Sequence, residues 1–265
     1  MEALNFNQLK ISVDRCGKHD IPLVEYGGRT TCVVCQRERV IEDEQKMIEE
    51  AEKRYVKRVT YDRFEKDSII GDVTLKNATF QSFISDDDES IRNKKQTRQI
   101  AASYLDGETF NTLLTGTPGA GKSHLAMAIL RAVNENSDPW RSCLFLSLDE
   151  FLLQIRNTFS NNDRNNNETE QTMISRIADV DLLVIDDLGA ETGFIGTGKT
   201  ATDFTQRVLY SLMNKRQGKS TIVTTNLNSD QLTAMYDGKI ISRIYRKLEG
   251  HIVTFETERD RRIKF

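Results

Sequence analysis

The sequence predicts an α/β fold: a parallel sheet between helices, built on one phosphate-binding loop and preceded by a small zinc-binding segment and a linker helix. Three observations predict it. From Phe110 onward, short apolar runs alternate with stretches of helical spacing, the signature of a parallel sheet covered on both faces. A glycine-rich turn lies between one such run and the start of a helix. Three of the four cysteines fall within the first 35 residues, beside a histidine.

Taken in chain order, the start "MEALNFNQLK" lacks the apolar core of a signal peptide, and no run reaches the roughly 20 apolar residues of a membrane span. A cytoplasmic protein with no membrane partner is expected, and cysteines there serve as metal ligands or structural thiols rather than disulfides. "CGKH" supplies Cys16 and His19, and "CVVC" supplies Cys32 and Cys35, with twelve residues between the pairs. That is a closed four-ligand set suited to tetrahedral Zn²⁺, with no open position for catalysis. The metal would fold a segment too small for a core of its own. Cys143, alone in an apolar run, reads as a buried small side chain.

"RERVIEDEQKMIEEAEKRYVKR" repeats Val40, Ile41, Met47, Ile48, Ala51, Tyr55 and Val56 near helical spacing and predicts one amphipathic helix. Thr60 to Asp88 is mixed. "SDDDES" reads as an acidic turn before a helix around Ile91 to Leu105. "FNTLLT", "SCLFLSL", "VDLLVID" and "STIVTTN" are the strand candidates, and "SNNDRNNNET", Ser160 to Thr169, reads as a mobile loop. The expected domains are residues 1–60, zinc-binding with the linker helix, and 76–265, the nucleotide-binding body. At 265 residues there is room for one sizeable domain and a small appendage.

Two stretches match the phosphate-loop pattern G-x-x-x-x-G-K-[ST]: "GTPGAGKS" at Gly116 to Ser123 and "GFIGTGKT" at Gly193 to Thr200. The first follows an apolar run directly, and Lys122 opens a helix-spaced segment. Strand, glycine turn and helix N-terminus together make a phosphate cradle. Its candidate ATP-binding set is Gly116, Thr117, Pro118, Gly119, Ala120, Gly121, Lys122, Ser123 and His124. Lys122 would reach the β- and γ-phosphates, and Ser123 would hold Mg²⁺. The second match has no strand feeding it and no later strand ending in an acid, so one nucleotide is expected, not two. GFIGTGKT then reads as a loop carrying Lys199.

Asp186, ending "VDLLVID", would hold Mg²⁺ with Ser123, and Asp187 would orient or deprotonate the attacking water. Glu191 is a further candidate for that base. Asn226 suits a polar sensor of the γ-phosphate. Arg243 or Arg246 could complete a neighbouring subunit's site, and Arg261 or Arg262 could touch nucleotide within the chain. Many ATPases of this kind place Glu where Asp187 stands, so the shorter side chain leaves the rate open; the expected activity is slow ATP hydrolysis stimulated by DNA or a partner. The net charge of −3, from 37 Lys and Arg against 40 Asp and Glu, argues against a basic coat for duplex DNA but permits a local basic stripe.

With the zinc set, the helix and the ATPase in that order, the chain resembles the bacterial and phage helicase loaders of the DnaC/DnaI type, which are AAA+ ATPases. "GTPGAGKSHLA", "VDLLVIDDLGAE", "TIVTTN" and "SRIYRKLEG" carry the resemblance, over roughly Thr79 to Phe265. It implies an AAA+ body with no full C-terminal helical lid, since only 39 residues follow Asn226. It also implies that the N-terminal domain grips a replicative hexameric helicase, while the ATPase domain self-associates and binds single-stranded DNA. By resemblance Lys122, Ser123, Asp186, Asn226 and Arg243 take the roles above, and Arg261 matches the second sensor. The IstB-type transposition ATPases are similar over the same core. Two other functions therefore stand beside the loader: a transposition regulator acting on DNA, and a zinc-containing adaptor that uses nucleotide only as a switch.

Overall fold

The structure, a computed structural model, describes residues 10–160, 168–192 and 200–257. The chain divides into two compact units, Met1–Val56 and Lys57–Phe265. In the first, β1 (Lys10–Arg15), β2 (Pro22–Tyr26) and β3 (Arg29–Thr31) form an antiparallel sheet in that order. Gly27 and Gly28, both at positive φ (57° and 77°), make the two-residue turn between β2 and β3. Such a turn matches the twist of the flanking strands, and it needs residues without a Cβ. The β1–β2 connection closes on itself, with Cys16 N–H donating to Ile21 O at 2.9 Å and Asp20 N–H to Cys16 O at 2.8 Å. Among the described residues of this unit, Cys32 alone is buried. So few buried atoms cannot hold three short strands together.

Helix α1 (Val33–Val59) begins four residues before the periodic segment and takes Cys35 into its first turn. Its apolar stripe is present, and none of its residues is buried. Met47, Ile48 and Tyr55 are 69, 58 and 57 % exposed.

The second unit is a five-stranded parallel sheet in the order β5-β6-β7-β4-β8, formed by β4 (Thr112–Gly116), β5 (Cys143–Ser147), β6 (Leu182–Leu188), β7 (Ser220–Thr225) and β8 (Ile252–Phe255). Four of these are the apolar runs expected to be strands. β8 was not among them. Every residue of β5 and β7 is buried, as a strand covered on both faces requires. One face is covered by α3 (Asp88–Leu105) and α4 (Lys122–Asn136), the other by α5 (Leu148–Ser160), α6 (Glu170–Ala178) and α7 (Asp203–Lys215). Short α8 (Ser229–Met235) and α9 (Gly238–Ile244) lead from β7 to β8. This is the expected α/β fold.

The stretch ahead of α3 joins this body. Helix α2 (Arg63–Asp67) buries Phe64, and Ile69 extends the sheet by pairing beside β5, with Ile69 N–H to Phe145 O and Ser147 N–H to Ile69 O both at 2.8 Å. At the N-terminal ends of β6 and β7, buried Arg216 donates to the carbonyls of Ala178 and Val180 at 3.1 and 2.7 Å, and to the Thr221 hydroxyl at 3.0 Å. Loss of hydration lowers its pKa to about 9, and Asp181 partly offsets the shift. No helix among the described residues is long and apolar enough to cross a membrane.

Candidate functional site

The glycine loop runs from the end of β4 into the first turn of α4. Gly116 has φ 131°, and a Cβ there would lie 1.9 Å from the Phe255 carbonyl oxygen of β8, so no other residue fits. Thr117 fastens the loop to the same strand: its N–H donates to Phe255 O at 3.0 Å and its hydroxyl to Thr257 O at 2.6 Å. Gly121, at φ 101°, turns the chain into α4, whose N-terminal N–H groups open on the loop. Buried Lys122 folds its ammonium across the arc, donating to the carbonyls of Gly116 and Thr117 at 2.8 and 2.6 Å.

Beside the loop lies a cleft of about 270 Å³, lined by Gly119, Gly121, Lys122, Ser123, His124, Asp186, Asp187 and Asn226. Five of the nine proposed loop and helix residues thus line one cleft together with Asp186, Asp187 and the proposed sensor Asn226. Asp72, Leu75, Phe83 and Ile84 form the opposite wall, which sequence reasoning missed. His124 ties the walls together: Nε2 lies 3.0 Å from Thr79 O and 3.2 Å from Ser82 Oγ, and the ring meets Phe83 edge-on. Burial lowers its pKa.

Asp186 is buried near the C-terminal end of β6. Burial pushes its carboxyl up to about 7, and the adjacent Asp187 adds to the rise, against bonds from Thr224 and Ser123 and the charge of Lys122. A carboxylate so placed favours a nearby cation, and the oxygen donors of Asp186 and Ser123 suit a hard one such as Mg²⁺. Asp187 is in the left-handed region at φ 56°. Thr224 of β7 explains how that conformation is held. Its hydroxyl donates to Asp186 Oδ1 at 2.6 Å and accepts from Asp187 N–H at 2.9 Å, so one side chain orients both acids. Thr224 was not a candidate from sequence. Its only signal was membership of "TTN".

The remaining candidates lie elsewhere. Both oxygens of Glu191 are engaged, one by Tyr236 OH and the other by Gly189 N–H at 2.9 Å, and it does not line the cleft. Arg243, on α9, donates to Lys239 O at 2.7 Å and Asn214 Oδ1 at 2.9 Å, and its guanidinium stacks 4.7 Å from the Tyr210 ring centre. Arg246 donates to Lys219 O at 2.8 Å. Neither arginine lines the cleft of its own chain. Arg261 and Arg262 lie outside the described residues, as do Gly193 to Lys199 of the second loop match and residues 161–167 of the Asn-rich loop. The residues preceding that second match, Ala190–Thr192, form a 3-10 turn and not a strand.

In the first unit the four proposed zinc ligands converge. One ligand atom from each of Cys16, His19, Cys32 and Cys35 lies within 4.8 Å of all the others. His19 Nδ1 is 3.7, 3.6 and 3.3 Å from the sulfurs of Cys16, Cys32 and Cys35, and the Cys16 and Cys35 sulfurs are 3.6 Å apart. Tetrahedral Zn²⁺, with bonds of about 2.3 Å to sulfur and 2.0 Å to nitrogen, separates its ligand atoms by roughly 3.5–3.8 Å. The donor set therefore fits. Backbone N–H groups of Lys18 and His19 hold the Cys16 thiol down, to about 6, whereas desolvation and the neighbouring sulfurs push Cys35 up to about 11.

A sequence profile of the IstB-like ATP binding protein family matches residues 76–262. The replicative helicase loader DnaC of Escherichia coli strain K12 is 24% identical over 171 residues, 64% of this chain and 63% of that protein. DnaC of Buchnera aphidicola subsp. Baizongia pistaciae is 25% identical over 175 residues, 63% of each chain. The chain thus spans less than two thirds of the length of these curated relatives. The crystal structure of the DnaC helicase loader superposes with a TM-score of 0.57 at 21% identity, covering 70% of this chain and all of that one. At that identity the likeness establishes the fold.

Proposed function

This chain belongs to the IstB-like ATP binding protein family through an AAA+ domain of the IstB/DnaC type, and on that premise we propose that it is an ATP-dependent helicase loader. It binds a replicative hexameric helicase and places it on single-stranded DNA. The observation that carries this reading is the pairing of a DnaC-like ATPase body with a separate Cys/His unit whose helix α1 keeps its apolar face uncovered. A large exposed apolar stripe is what a partner-binding helix presents.

In this reading the N–H groups of Gly119 to Ser123 cradle the phosphates, and Lys122 exchanges its loop carbonyls for β- and γ-phosphate oxygens. Ser123 and Asp186 hold Mg²⁺, which when bound neutralises charge on the phosphates. Asp187, fixed by Thr224, orients the attacking water and takes its proton, while Asn226 holds the water against the γ-phosphate. Arg243 acts on a neighbouring copy's site by leaving Asn214, and Arg261 touches nucleotide within the chain. Self-association aligns modest basic surfaces into one track for single-stranded DNA. Affinity then depends on ATP and falls steeply with salt. Cys16, His19, Cys32 and Cys35 hold a structural Zn²⁺, and residues 1–60 act as the helicase-binding domain ahead of an ATPase domain over 76–265. The protein works in the cytoplasm, with slow ATP turnover raised by DNA or the helicase.

Pull-down with the full chain tests the reading. Hexameric helicase should be retained, and Lys122→Ala should abolish ATP binding without releasing zinc. Failure to retain helicase, combined with tight duplex binding and no single-strand preference, would move the assignment to the transposition regulator. That alternative is favoured by the IstB-like profile itself. ATP binding with no turnover under any condition would favour the adaptor.

A further inference from the structure

The Cys/His cluster has an outer neighbour that the four-ligand spacing does not reveal. His19 offers Nδ1 to the three sulfurs, and its Nε2, on the far side of the ring, lies 3.1 Å from Glu38 Oε1. The other Glu38 oxygen accepts from Lys18 Nζ at 2.7 Å. Glu38 stands three residues after Cys35 on α1, so the helix that supplies Cys35, and that begins directly after Cys32, also carries this carboxylate.

We propose that Glu38 is a positioning residue for the metal: it holds the proton of His19 on Nε2 and so presents the Nδ1 lone pair to zinc. The inference rests on the zinc reading above. A neutral imidazole carries one N–H, and only the bare nitrogen can ligate. A carboxylate is an acceptor only, so a bond to Nε2 requires the proton there. The same bond fixes the ring plane and raises the basicity of the ligating nitrogen, which is why outer partners of this kind tune metal affinity. Lys18 in turn stops Glu38 from swinging away and offsets its charge beside three sulfurs. Because Glu38 lies in the second turn of α1, the affinity of the site depends on those turns staying helical. The metal and the helix proposed to meet the helicase are thereby coupled.

The test uses the full chain, with zinc affinity measured by competition against a chelator of known strength and His19 nitrogens observed by long-range ¹H–¹⁵N NMR. Wild type should show a metal-bound Nδ1 and a protonated Nε2. Glu38→Ala should bind zinc about 10- to 100-fold more weakly while still reaching one zinc per chain at saturation. Glu38→Gln, whose amide oxygen can still accept from Nε2, should recover most of the loss. Glu49→Ala removes the same charge three turns along α1 and should leave affinity within about threefold of wild type. Unchanged affinity in Glu38→Ala, an equal loss in Glu49→Ala, or zinc on Nε2 would overturn the role of Glu38 while leaving the zinc site standing. Wild type that takes up no zinc at all would instead remove the zinc reading, and this inference with it.

Discussion

The two units of this chain hold their shapes by different means. Lys57–Phe265 buries continuous apolar layers on both faces of a parallel sheet, with Leu114, Leu130, Leu144 and Val223 essentially inaccessible. Met1–Val56 buries Cys32 among its described residues and otherwise gathers four metal-binding side chains at one point. Burying a Leu or Val contributes about 1.5–3 kcal/mol each, and the larger unit sums many such terms against the entropy of its chain. The described residues of the smaller unit offer no such reserve, and in the proposed zinc reading a bound ion supplies the difference. A hydrophobic core spreads stability over many residues, whereas a metal cluster concentrates it in four.

The largest expected effect follows from that concentration. Stripping zinc with a strong chelator should remove on the order of 10 kcal/mol from the first unit and disperse β1–β3, leaving the melting of the second unit unchanged. Circular dichroism and NMR of the chelated chain would check this, and joint melting of both units would refute the division. Next in size is a cut in the distributed core. Leu130→Ala should cost the second unit about 2–5 kcal/mol in urea unfolding, with zinc content untouched. Thr224→Val keeps the shape of a buried side chain but removes the Thr224 donor to Asp186 and the Thr224 acceptor for Asp187 N–H. A loss of about 1–3 kcal/mol is expected, with ATP turnover falling further than stability, and Thr224→Ser should restore both. The smallest effect belongs to the surface. Lys66→Ala removes an exposed pair with Asp62, 3.3 Å apart, and should change urea stability by no more than about 0.5 kcal/mol.

Legibility in sequence tracked how local each cause is. β4 to β7 could be read because a strand buried on both faces is a continuous apolar run. β8 could not, since Ile252–Phe255 is a four-residue edge strand that alternates exposed and buried. The phosphate loop, Asp186 and the cysteine cluster were legible because their chemistry is written within a few consecutive residues. Thr224 and Glu38 were not. The first acts on residues 37 and 38 positions away and the second on a histidine 19 away, and neither residue type is unusual where it stands. The wall formed by Asp72 to Ile84 was hidden for the same reason, since it meets α4 only through the fold. For Arg243 the sequence offered a residue type. Its packing on Tyr210 of α7 arises only from the fold, 33 residues away in the chain.

The contact between Gly116 and Phe255 also sets an order of events in time. β4 lies between β7 and β8, and the loop it feeds leans on a backbone made 139 residues later, from Gly116 to Phe255. A nascent chain that has emerged only through β7 can pair one side of β4, yet Thr117 has neither Phe255 nor Thr257 to bond. Such non-local pairing is slow to form, because a long loop must close before any contact rewards it. In the proposed function the nucleotide cradle is therefore complete only once β8 lies beside β4.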